Sequence, residues 1–175
     1  MDDFLIIGGG IAGLSAAAAL APLGRVTLLE GETHLGHHSS SRSAAVFLEH
    51  YGNATVRALN RASAPYYRAT DVLTPRTMLL VARPGEDEAF AQALREFDAT
   101  EIPVAEAQSL WPILDRAQVH RTARYNGAED IDTDRVMQGF AKAARGSGAT
   151  LRTGANVTQI DGIEGGWKVL AGGET

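Results

Sequence analysis

Near the N-terminus, Gly8, Gly10 and Gly13 form a G-x-G-x-x-G string with Gly9, Ile11 and Ala12 between them, and Glu30 closes the next apolar run. The chemistry these types and spacings suit is the holding of a diphosphate. The first glycine permits a tight turn, the second lets backbone N–H groups approach a pyrophosphate, and the third lets a helix pack closely on a strand. The orphan N–H groups and the positive end of that helix then face the anion. Glu30 can accept hydrogen bonds from ribose hydroxyls, and it would repel a 2′-phosphate, which disfavours NADP. The expectation is an ADP-containing dinucleotide, with FAD and NAD both allowed.

The elements that must position these residues are legible around them. Phe4–Ile7 reads as a strand, and an alanine-rich helix runs from the glycine turn to about Ala21, where Pro22 and Gly24 stop it. Arg25–Leu29 reads as a second strand, completing a βαβ unit. Glu30 to Arg42 is irregular and polar, and Ser43 is expected to cap a helix through Ala44, Ala45, Phe47 and Leu48. A helix fits Ala54 to Ala69, with Val56, Leu59, Ala62 and Tyr66 on one stripe. Val72–Thr74, Pro75-Arg76 and Met78–Ala82 read as strand, turn, strand. An amphipathic helix spans Glu86 to Phe97 with Phe90, Leu94 and Phe97 inward, and its acidic start suits the helix dipole. Ile102 to Leu114 reads as a short helix and loop, and Val119 to Tyr125 as a strand ending in a turn at Asn126-Gly127. Asp132 or Thr133 starts a helix with Val136, Phe140 and Ala143/Ala144 on one face; Thr150–Thr153, Asn156–Asp161 and Trp167–Leu170 read as strands.

This order predicts an α/β chain with a Rossmann-like nucleotide-binding domain in two segments, 1–42 and 128–175. Between them, 43–127 is an inserted α+β region of helices plus a hairpin, leading toward a substrate domain. A doubly wound sheet uses roughly five or six parallel strands and only about three are visible, so the chain is expected to be a piece of something longer. The ending at Gly172-Gly173-Glu174-Thr175, where a hairpin should hand over to its next strand, carries the same expectation.

The 175 residues are 45% hydrophobic and 21% charged with net charge −5, ordinary for a soluble globular chain and giving no electrostatic case for nucleic acid. With no cysteine, disulfides, thiolate metal sites and cysteine nucleophiles are excluded. No basic signal region is visible, and no run approaches the roughly 20 apolar residues of a membrane span, which predicts a cytoplasmic location. His34, His37 and His38 lack a carboxylate at ligand spacing, so no metal is expected there. Asp130, Asp132 and Asp134 alternate like a calcium loop, but Arg135 stands where glycine is needed and Ala141 where a bidentate glutamate is needed. Ser39 to Ser43 contain no G-x-S-x-G elbow. Trp111 and Trp167 read as core or edge-packing residues, and Tyr66 and Tyr67 as core plus surface.

Three stretches together carry a resemblance: Phe4 to Glu30, Gly36-His37-His38-Ser39-Ser40-Ser41-Arg42-Ser43-Ala44-Ala45, and Gly127-Ala128-Glu129-Asp130-Ile131-Asp132-Thr133. They resemble the FAD-dependent D-amino-acid oxidase superfamily, and the string through Tyr51-Gly52 and Val56–Leu59 looks most like bacterial D-amino acid dehydrogenases of the D-arginine dehydrogenase type. The resemblance covers nearly the whole chain and moves the expected cofactor from either dinucleotide to FAD. It implies that Gly8, Gly10, Ile11, Ala12 and Gly13 meet the diphosphate and Glu30 the adenosine ribose. His38, Ser39, Ser40, Arg42, Ser43 and Ala44 would lie along the flavin, and the backbone at Val157 would meet the adenine. Tyr51 would stand over the substrate pocket, and Met78 would lie on its wall.

The implied reaction is oxidation of an amine or D-amino acid carrying an α-hydrogen, with hydride passing to the flavin and the resulting imine hydrolysing. In that family the groups clamping the substrate carboxylate come largely from a second half absent from these residues. The chain alone is therefore expected to be inactive and to need its own C-terminal half or a complementing subunit, and its catalytic residues stay unassigned. Where related dehydrogenases would use an acid to hold a basic side chain, this sequence has Thr77-Met78-Leu79-Leu80, so D-arginine is not favoured. The alternatives are an NAD-dependent dehydrogenase and a non-catalytic nucleotide-binding subunit of a split flavoenzyme.

Overall fold

In the computed structural model, which describes residues 1–172, the apolar run Phe4–Ile7 is strand β1. Its alternation splits the side chains, Phe4 and Ile6 packing against a core while Leu5 and Ile7 stand exposed. Helix α1 (Ile11–Leu20) follows, then a 3-10 turn at Ala21–Leu23 and strand β2 (Val26–Leu29). Strand β2 lies between β1 and a later strand, β7 (Thr150–Arg152), and both pairings are parallel. Helix α5 (Thr133–Gly146) packs beside α1, and the two enclose Leu14, Ala17, Leu28, Met137, Ala141 and Ala144. Alanines at the contact let the helix axes approach. The cap of α5 is Asp132, whose carboxylate accepts the Arg135 N–H at 2.9 Å. Strands β8 (Val157–Ile163) and β9 (Gly166–Ala171) form an antiparallel hairpin. These elements make one compact unit, Met1–Ala44 with the described residues from Asp132 onward. The expected handover at Gly173-Glu174-Thr175 lies outside the described residues.

The second unit, Ala45–Ile131, is built on an antiparallel sheet whose centre is β6 (Arg121–Ile131). Along one edge of β6 runs β4 (Leu73–Ala82); along the other lie β3 (Val46–Phe47) and β5 (Thr100–Ile102) in succession. Helix α3 (Asp87–Phe97) buries Phe90 and packs Leu94 against Leu80, Ala82 and Ala123. Helix α4 (Val104–Leu110) buries Ala107 with Ile102 and Leu114. Helix α2 (Ala54–Ala69) is capped by Asn53 and buries Ala64, while Val56, Leu59, Ala62 and Tyr66 face outward. Neighbouring Tyr67 sets its ring edge-on to Phe47.

Three local expectations are corrected. Residues 44–48 do not form a helix: Ala45 takes a left-handed φ of +54°, which no α-helix continues through, and Val46-Phe47 pair with Asp130-Glu129 of β6. The stretch from Leu73 to Ala82 is one strand rather than a hairpin, and Pro75 is tolerated because β4 lies at the edge of the sheet. Asn126-Gly127 is a bulge within β6 rather than a turn. Arg76 pairs with Ala128 and Met78 with Tyr125, so β6 carries one extra residue where Thr77 stands opposite.

Candidate functional site

The glycine turn is shaped by contacts that leave no room for side chains. A Cβ at Gly13 would overlap the Gly8 carbonyl oxygen, so the first turn of α1 can lie against the end of β1 only with glycine there. A Cβ at Gly9 would stand 2.6 Å from Leu35 Cδ2. The N-cap Gly10 contributes no side-chain bond, and the Ile11 N–H donates to the Ser40 hydroxyl at 3.0 Å. Ser40 belongs to a 3-10 turn, Ser39–Ser41, that folds back over this helix start. The Gly36 N–H donates to the Gly9 carbonyl at 2.9 Å, holding that loop against the turn.

Glu30 sits at the C-terminal end of β2, only 8% exposed. One carboxylate oxygen accepts the Gly9 N–H at 2.6 Å and the other accepts the Glu32 N–H at 2.9 Å. Burial pushes its pKa up, but the N–H groups of Glu32 and Gly9, the charge of His38 and the N–H of Gly31 outweigh that. The net result lies below the ordinary carboxylate value. The acid thus stays ionised while bracing the turn, with a second lone pair on each oxygen able to receive a hydroxyl. Beside it, the Ala155 N–H donates to the Glu30 carbonyl at 2.8 Å and the Gly154 N–H to the Glu32 carbonyl at 2.7 Å. The segment leading into Val157 therefore runs along the end of β2.

The structure thus gathers Gly8, Gly10, Ile11, Gly13, Glu30 and Ser40 at one helix start, with Ala12 on its exposed first turn and Val157 at the foot of β8. His38 joins them through Glu32, its Nε2 lying 3.2 Å from Glu32 Oε1. Ser39, Arg42, Ser43 and Ala44 are exposed in the following segment. Tyr51 and Met78 belong to the other unit. Tyr51 is 60% exposed, and Met78 lines a cavity of about 510 Å³ that Tyr51 does not line. Trp111 is half-exposed at that cavity rather than in a core, and Trp167 lines a separate cavity against β1 and β2.

Several residues that shape the site carry no sequence signal of their own. Gly9 reads as filler between two motif glycines, yet it both donates to Glu30 and makes room for Leu35. Glu32 and Gly36 act through backbone N–H groups, which no side-chain pattern reveals. Met137 supports the loop from below: a Cβ at Gly36 would lie 2.8 Å from its thioether. Among the described residues no group of three or more His, Asp or Glu side chains is positioned to hold a metal, and no helix is long and apolar enough to cross a membrane.

A parallel sheet roofed by helices, with a glycine turn pressed on the helix start and an acid closing the second strand, defines a dinucleotide-binding fold of the Rossmann type. A turn free of side chains and a braced ionised acid fit the diphosphate and ribose of such a cofactor. Residues 3–175 match the family model for FAD dependent oxidoreductases, and the chain belongs to that family, whose cofactor is FAD. Its fold is similar to that of L-alpha-glycerophosphate oxidase from Mycoplasma pneumoniae, solved with FAD bound (TM-score 0.81, 21% identity, covering 99% of this chain and 50% of that one). It is also similar to glycine oxidase from Geobacillus kaustophilus (0.77, 21%, 97% and 53%) and L-proline dehydrogenase from P. horikoshii (0.71, 22%, 90% and 45%). The chain spans about half the length of these proteins.

Proposed function

We propose that this chain supplies the FAD-anchoring unit and part of the substrate-facing unit of an oxidoreductase that oxidises the C–N bond of an amino acid or secondary amine. D-amino acids are the favoured class. The observation that carries the FAD assignment is the match of residues 3–175 to the FAD dependent oxidoreductase family; the cradle in which Glu30 braces Gly9 while Ser40 meets the Ile11 N–H suits the ADP part of either dinucleotide. FAD supplies the two-electron acceptor when bound. The residues of this chain bind and orient it: the start of α1 holds the diphosphate, Glu30 the ribose, and 38–44 the flavin side. The amine assignment draws on the glycine oxidase, the L-proline dehydrogenase and an iminodiacetate oxidase among similar structures, and on the likeness to D-amino acid dehydrogenases. Because the chain spans about half the length of the oxidases it is similar to, our reading is that these 175 residues alone do not turn over substrate.

The test is a titration of the purified chain with FAD and, separately, with NADH, followed by flavin or reduced-nicotinamide fluorescence. Saturable FAD binding that is lost in Gly13→Val, with no comparable NADH binding, is the expected result. NADH binding in preference to FAD would overturn the assignment, and amine oxidation by the 175-residue chain would overturn its inactivity.

A further inference from the structure

The cavity of about 510 Å³ in the second unit lies between the middle of β4, opposite the bulge of β6, and the C-terminal turn of α4. Its volume falls in the range of about 300–1,000 Å³ typical of small-molecule sites. Val81, Leu110 and Trp111 on its walls are 45%, 49% and 46% exposed, so three large apolar side chains show themselves around one concavity. Val46, Met78, Leu79 and Ala128 complete the apolar lining. The one charged residue among the lining groups is Arg76. Its Nη1 donates to Asp130 at 2.7 Å, and both side chains are about half-exposed (49% and 51%). A guanidinium is a planar fork of five donors, so a second carboxylate can share it.

We infer that this cavity binds a small organic carboxylate with an uncharged apolar body, the carboxylate on Arg76 and the body against Met78, Leu110 and Trp111. The apolar walls reward desolvation of a hydrocarbon, whereas a cationic group would meet the like charge of Arg76, whose neighbouring acid Asp130 is already paired with that guanidinium. Resting on the reading above that the second unit faces the substrate, this assigns the enzyme to amino acids with apolar rather than basic side chains.

The test uses the emission of Trp111 in a Trp167→Phe background, since Trp167 is the other indole and belongs to the first unit. The probes are 3-phenylpropanoate and the isosteric cation 3-phenylpropylammonium. The acid should give a saturable change with an affinity at least about tenfold above the amine's, the factor that corresponds to one charge-assisted contact. Arg76→Gln should abolish that preference, and Met78→Glu should reverse it. The absence of a saturable response to the acid, an equal response to acid and amine, or a preference that survives Arg76→Gln would overturn the inference. FAD titration of the same samples separates the two ideas. Chain that binds FAD but not the probe overturns the cavity inference alone, and chain that binds the probe but not FAD overturns the flavoprotein reading alone.

Discussion

Glu30→Gln is the most informative single change in the cofactor unit. It preserves the shape of the side chain but replaces one carboxylate oxygen by an amide that only donates. Glu30 uses both oxygens on backbone N–H groups, Gly9 at 2.6 Å and Glu32 at 2.9 Å, so glutamine keeps one bond and turns the other into a donor facing a donor. Hydrogen bonds to charged groups contribute about 1.5–3 kcal/mol, and one of the two is lost outright. For a chain of this size that corresponds to a fall in Tm of about 3–12 °C, readable by far-UV circular dichroism on heating. The pH dependence gives an independent readout. The folded-state pKa of Glu30 lies below its ordinary 4.5, so between the two values the unfolded chain holds more protons. The stability Glu30 contributes is therefore fully present above about 4.5 and is lost as pH falls through the folded-state value. The gap between wild type and Glu30→Gln should be constant near neutrality and close on acidification. Equal Tm values at pH 7, or a gap that widens below 4.5, would refute the reasoning.

Two further changes probe what surrounds the turn. Gly36→Ala meets both a φ of +73° and the Met137 thioether at 2.8 Å; it should lower stability by about 1–3 kcal/mol and weaken FAD binding in the same titration. Met137→Ala is itself destabilising because it empties buried core space, so the steric part is read from the double-mutant cycle: Gly36→Ala should cost less in the Met137→Ala background, but not nothing, since the backbone strain remains. Asp132→Ala removes the cap on the Arg135 N–H and should lower stability by about 1 kcal/mol in urea unfolding, with Asp132→Asn retaining most of it.

The parts of this fold that were legible in sequence are those where local pattern and tertiary demand agree. The βαβ unit is short-range: strand, glycine turn and helix are consecutive, so Gly8, Gly13 and Glu30 announce themselves by spacing. Helices α3 and α5 follow apolar periodicity and end in ordinary signals. The errors fall where a distant partner decides. Ala44-Ala45 favour a helix by propensity, but Asp130 and Glu129, more than eighty positions away in the chain, pull Val46-Phe47 into a sheet. Asn126-Gly127 is a strong local turn signal, and β4 converts it into a bulge by pairing on both sides of it. At the candidate site the missing pieces are backbone donors and a methionine reaching up from α5, neither of which has a sequence signature.

Strand β1 pairs with β2 along one edge, and among the described residues its other edge meets no strand. Leu5 and Ile7 on that strand are exposed, and they share a cavity of about 630 Å³ with Ile160 and Trp167 of the β8–β9 hairpin, both also exposed. A short apolar edge is a template for another extended chain, and the charged residues around this one are Asp2 and Asp3 just ahead of the strand and Arg152 on the same cavity. The strand that leads into the cofactor turn thus also presents an edge along which a further extended strand could pair. Because Ile7 runs directly into Gly8, a strand added along this edge would bear on the residues next to the cofactor turn.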